Sequence, residues 1–121
     1  MEALSVISAA TKFLGHISGR KSDQASAAIA AVQKALHESE KYFICLSQGE
    51  QRSIEKEHLV SDLWVAAAEP VRRVDEEYAG WCSNKAYYWL TRDSYTENDI
   101  KQLNIGLEVM NKRLQKLMKE S

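Results

Sequence analysis

Arg52 and His58 are the two residues whose types most readily suggest a reaction. An imidazole can take and return a proton near neutrality, and a guanidinium can stabilise charge developing on a phosphate. Five residues separate them. Six steps along a helix turn through about 600°, so two helical side chains at that spacing diverge by about 120°. A joint site therefore requires Arg52 in the loop ahead of the helix that carries His58. Glu55 and His58 are three apart, which places a carboxylate and an imidazole on one helical face. Carboxylate-bridged metal bundles need two such Glu-x-x-His units and two further glutamates. The unit occurs once here, so neither a metal site nor any other cofactor is expected. His37 and Cys45 are eight apart, about 12 Å along a helix and too far to share an ion.

A second group is aromatic. Tyr78, Trp81, Tyr87, Tyr88, Trp89 and Tyr95 fall within 18 residues, with Lys85 and Arg92 among them. Tyrosine, tryptophan and arginine anchor protein interfaces, because they combine a large apolar area with a polar tip. Tyr78, Trp81, Tyr87, Tyr88, Trp89, Arg92 and Tyr95 are therefore the expected partner-binding residues. The same cluster could instead close one end of a helical bundle, or line a small-molecule pocket.

The Arg52 and His58 spacing resembles the pair found in HEPN-type ribonucleases, which are helical bundles of similar length. The resemblance covers these two residues. It implies His58 as the acid/base and Arg52 as the group facing the phosphate, with the site doubled across a dimer. Ser53 departs from the pattern, since Asn, Asp or His usually follows the arginine in that family.

Composition narrows the classes. The 121 residues fit one domain spanning 1–121, with 45% apolar and 27% charged residues. The formal net charge of −1 argues against specific nucleic-acid binding, which needs a concentration of Lys and Arg. The charge is uneven: residues 38–77 carry five bases and ten acids, whereas 78–121 carry seven bases and five acids. Two cysteines are too few for a disulfide framework. No secretion-type leader and no apolar run long enough to span a membrane is read, so the expected setting is cytoplasmic with reduced thiols.

One proline and five glycines in this length favour long helices. The first is expected over residues 2–17, with Gly19 as its stop. Its weakly charged polar face, rich in serine, also suits a helix that senses loose lipid packing. A second, capped by Ser22, carries the stripe Ala25, Ile29, Val32, Leu36, Ser39, Phe43 and Leu46. Alanines 27, 30 and 31 stand off that stripe, where a second copy of the chain could approach. A third helix, from Arg52 or Ser53, runs through Val60, Leu63, Ala67, Val71, Val74, Tyr78 and Trp81. Because this phase passes Pro70 unbroken, one helix kinked there is expected. On that straight path Cys45 and Cys82 lie roughly 45 Å apart and cannot bridge; both read as small buried groups. A short helical segment is expected near 83–91. Thr96 and Asp99 make a capping pair for a last helix through Ile100, Leu103, Leu107, Met110, Leu114 and Leu117. Gly106 within it suggests close backbone approach.

The fold expected is all-α: an up-down four-helix bundle, with the long third helix kinked at Pro70. The function expected is that of a non-catalytic interaction module, an adaptor or regulator binding a protein partner or itself as a homodimer. The alternative is the small ribonuclease using Arg52 and His58.

Overall fold

The computed structural model describes residues 20–120. The segment expected over 2–17, its Gly19 stop and its lipid-sensing face lie outside them. The described chain is helical throughout, without strands: α1 (Arg20–Ser47), α2 (Ile54–Arg72), α3 (Glu76–Leu90), a 3-10 turn (Arg92–Ser94), α4 (Glu97–Gln102) and α5 (Leu107–Glu120). Among the described residues, no helix is long and apolar enough to cross a membrane.

Each boundary has a local cause. α1 gives out at Gly49, whose φ of 97° suits a residue without a Cβ, and Gly49 N–H closes on the Leu46 carbonyl at 3.1 Å. Ser53 opens α2 from extended backbone, its hydroxyl accepting the Lys56 N–H at 3.2 Å. Thr96 and Asp99 satisfy each other's backbone N–H groups in the expected capping box, at 3.1 and 2.9 Å.

Four expectations need correcting. The third helix is not one continuous rod: α2 contains Pro70 but stops two residues beyond it, and α3 starts afresh at Glu76. Pro70 removes one ladder hydrogen bond, and Asp75 then supplies a new N-cap, accepting Tyr78 N–H at 3.1 Å. The unbroken apolar phase arises because both arms of the resulting hairpin bury the same side, with Val71 and Tyr78 fully enclosed. Secondly, residues 83–90 are no separate segment but the second half of α3. Thirdly, the last helix divides at Leu103 to Gly106, where Asn104 takes a φ of 58°. A Cβ on Gly106 would meet only ordinary contact, 3.8 Å from Ile100, so no close approach accounts for that glycine. Fourthly, α1 already includes Arg20, which puts Ser22 inside the helix and not at its cap.

α1 packs on α2, α2 on α3, and α5 lies along α1. The buried heart is Trp64, Trp89, Tyr78, Ile105 and Met110, with Val32, Val71 and Cys82 around them. Polar bonds tie the helices through this core. Trp64 Nε1–H donates to Ser39 Oγ at 3.0 Å, and that hydroxyl donates to Ala35 O at 2.8 Å. Ser61 Oγ donates to Ala86 O at 2.7 Å, and Tyr78 OH donates to Met110 O at 2.7 Å. Every one of these groups would cost free energy if buried alone, so their pairing fixes which helix faces which.

Candidate functional site

At the end of the bundle crossed by the α1–α2 loop, three side chains converge on one carboxylate. Glu57, on the first turns of α2, is 1% exposed. Arg52, in the loop, grips it with two bonds, Nε to Oε2 at 2.9 Å and Nη2 to Oε1 at 2.8 Å. Arg92 Nη1 donates to Oε2 at 3.0 Å from the 3-10 turn. Tyr42 OH donates to the same oxygen from α1, while accepting Ser53 N–H at 2.9 Å. Arg52 also reaches Asp93 at 2.7 Å, and the Arg92 guanidinium lies over the rings of Phe43 and Trp89, at 5.2 and 5.8 Å. Burial pushes the Glu57 carboxyl up, but hydrogen bonds from Arg52 and Tyr42 and the charges of Arg52 and Arg92 hold it below its ordinary value. An ionised carboxylate whose oxygens are already this occupied is a clasp between three elements and a poor proton acceptor.

Arg52 does lie in the loop before α2, the placement a joint site with His58 requires. Its guanidinium, however, is committed to Glu57 and Asp93. His58 is exposed, one position past Glu57 and so about 100° around the helix. Glu55 is exposed too, and among the described residues no group of three or more His, Cys, Asp or Glu could hold a metal ion.

The aromatic stretch is divided between interior and surface. Tyr78, Tyr88 and Trp89 are buried, and Trp81, Arg92 and Tyr95 half-buried. Edge-to-face contacts link Tyr78 to Trp81, and Tyr88 to both Trp89 and Tyr95. Tyr87 alone of these stands out in solvent, 61% exposed. Lys85, on the same helix, is buried: its Nζ donates to Ile105 O at 2.6 Å and sits 4.5 Å from the Tyr88 ring centroid. Burial, with Arg92 adding to it, pushes its amine down to about 7. Cys82 is buried and Cys45 half-buried, both free thiols; the turn at Pro70 removes the straight path that set their expected separation.

Two surface features remain. A groove of about 310 Å³ between α1 and α2 is floored by Tyr42, Cys45, Leu46, Val60 and Leu63. Five large apolar side chains of α2 and α3 are left 49–61% exposed: Leu59, which lines the groove beside α1, and Ile54, Val65, Tyr87 and Leu90. Ile54 and Val65 fall within about 20° of each other around α2, as do Tyr87 and Leu90 within about 60° around α3. The Ser61 to Ala86 bond runs between those two helices.

Glu57, Trp64 and Tyr42 went unnoticed in the sequence, and Lys85 was noted only as a cation among the aromatics. A signal existed for Glu57, Lys85 and Trp64. Residues 57, 60, 64, 67 and 71 are all buried, as are 78, 82, 85 and 89. Both runs step by threes and fours, so Glu57 and Lys85 are charges written into apolar stripes. No family model, no curated protein and no solved structure matches the chain.

Proposed function

We propose that this chain is a non-catalytic helical interaction module that binds a protein partner through the outer face of the α2–α3 hairpin. The observation that carries the reading is the grouping of Ile54, Val65, Tyr87 and Leu90 on one side of two packed helices. Single exposed apolar residues are ordinary, whereas several on adjacent helices of a rigid scaffold support an interface. The polar clasp at Glu57 supports this by fixing the end of the hairpin that carries Ile54 and Leu90. An up-down order of helices is the scaffold in this reading: Tyr42 meets Glu57 while Ser39 meets Trp64, so residue numbers fall along α1 as they rise along α2. The free thiols suit a reducing compartment such as the cytoplasm.

The test is a photo-crosslinking amino acid at position 87 in the full chain expressed in its native cells. A discrete protein adduct is expected, lost when Val65→Glu is added and retained when a buried-face control such as Ala28→Gly is used instead. An adduct pattern at position 87 no different from one at exposed Lys112 overturns the reading.

A further inference from the structure

Charge surrounds the apolar row unevenly. At 100° per residue, Ile54, His58, Val65 and Arg72 lie within about 40° on α2, the last with its charge paired to Glu69. Glu55, Asp62 and Glu69, at steps of seven, form a second line about 60° further round, with about 10.5 Å between successive members. Glu69 is shared with Arg72 and Arg73, while Glu55 and Asp62 have no ion pair among the described residues. On α3 the outward band is Glu76, Gly80, Ser83, Tyr87 and Leu90, all exposed and without a basic member.

Gly80 is the second observation. It sits inside α3, where glycine is a poor helix former relative to alanine. A Cβ built there meets nothing within 4 Å, and its φ is not in the left-handed region. Neither packing nor backbone conformation within the described chain calls for glycine. It lines a shallow cleft of about 490 Å³ with Val65, Ala68, Ala79 and Ser83, rimmed by Glu69, Glu76 and Arg72, the last paired to Glu69. Small residues let a second helix come close, and large apolar neighbours give it something to bury against.

We infer that this face receives an amphipathic helix of a partner protein with lysine or arginine along its flank. The helix backbone lies over Gly80 and Ser83, its apolar side meets Val65, Tyr87 and Leu90, and its cations face Glu55 and Asp62. The inference rests on the interaction reading above and adds the chemistry of the partner.

Two fluorescent 18-residue peptides test it, each with leucine and alanine at i, i+3, i+4 and i+7. One carries Lys and Arg on the flank, the other Glu at the same places. Anisotropy titrations against the full chain should show the basic peptide binding at least ten-fold more tightly, with affinity falling as salt rises. Gly80→Leu should cut that affinity at least ten-fold while circular dichroism shows an unchanged helical content. The Glu55→Lys, Asp62→Lys double variant should reverse the preference between the peptides. Equal binding of the two peptides, or binding indifferent to Gly80→Leu, overturns the inference. So does a doubled mass by light scattering that Gly80→Leu abolishes, which would give the face to a second copy. An adduct at position 87 together with failure of the basic peptide would sink this inference alone and leave the interaction reading standing.

Discussion

Arg113 on α5 holds the carboxylate of Asp75 with two hydrogen bonds, Nε to Oδ2 at 2.8 Å and Nη2 to Oδ1 at 3.0 Å, across 38 positions of sequence. The same carboxylate caps α3 through Tyr78 N–H, and the same guanidinium reaches Glu77 at 2.8 Å and lies 4.7 Å from the Trp81 ring centroid. One residue thus starts a helix, closes the turn after Pro70 and docks α5.

Asp75→Ala removes the cap and the ion pair together, and should lower stability by roughly 2–4 kcal/mol. Asp75→Asn keeps an oxygen for the cap and should cost distinctly less. Burial works against ionisation of Asp75, but the hydrogen bond and charge of Arg113 and the Tyr78 N–H prevail and hold its pKa below the ordinary value. The contribution is therefore full above the unfolded carboxyl value and disappears as acid titrates the folded group. Urea unfolding at pH 7 and pH 3 should show the wild-type advantage over Asp75→Asn shrinking at the lower pH.

Glu57→Gln leaves two guanidiniums facing a neutral amide in a largely buried site. About 3 kcal/mol of destabilisation is expected, since one partner of a buried pair is gone and the others remain. Tyr42→Phe deletes one donor to Glu57 and the acceptor for Ser53 N–H, and about 1–2 kcal/mol should be lost. Denaturant midpoints for the two variants, measured side by side, check the order.

Lys85 gives stability an alkaline slope. Its folded pKa of about 7 lies below the unfolded value of 10.5, so between these values the unfolded chain binds more protons and stability rises with pH. The Ile105 carbonyl and the Tyr88 ring favour the ammonium and moderate the slope. Burial pushes the Cys82 thiol up to about 12, which acts in the opposite sense above the ordinary thiol value. The comparison is therefore wild type against Lys85→Met: from pH 7 to 9 the wild-type midpoint should climb relative to that of the variant. Parallel curves would refute the assignment.

Glycine to alanine should act with opposite sign at two positions. Gly80→Ala in α3 meets open space, and should stabilise by about 0.5–1 kcal/mol. Gly49→Ala forces a Cβ onto a φ of 97°, and should destabilise by about 1 kcal/mol. Thermal melts of both variants decide this.

Much of the architecture was legible because burial follows period. The stripe from Ala25 to Ser39 and that from Met110 to Leu117 are buried as their spacing requires. The turn at Pro70 was not, because a hairpin whose arms bury the same side preserves apolar phase as well as a kinked helix does. What settles the matter is Asp75, a capping residue five positions after the proline whose carboxylate α5 also needs. The polar clasp was obscured for a related reason. Glu57 reads as a solvated charge until Arg52 and Arg92, 40 residues apart in sequence, are placed beside it in space. Tyr87 differs from its aromatic neighbours by phase alone: it falls on the outward band of α3, and Tyr88 and Trp89 on the inward one.

The short links between α1, α2 and α3 bear on how quickly the protein reaches its native state. Each of these helices packs on its immediate neighbour in sequence, so their association closes only small loops. Helical proteins with such local pairing fold in microseconds to milliseconds. α5 is the exception, since it must find α1 and Asp75 across the rest of the chain. In a kinetic experiment, substitutions at Leu114 or Arg113 should speed unfolding far more than they slow folding, whereas Ala67→Gly between α2 and its neighbours should slow folding itself.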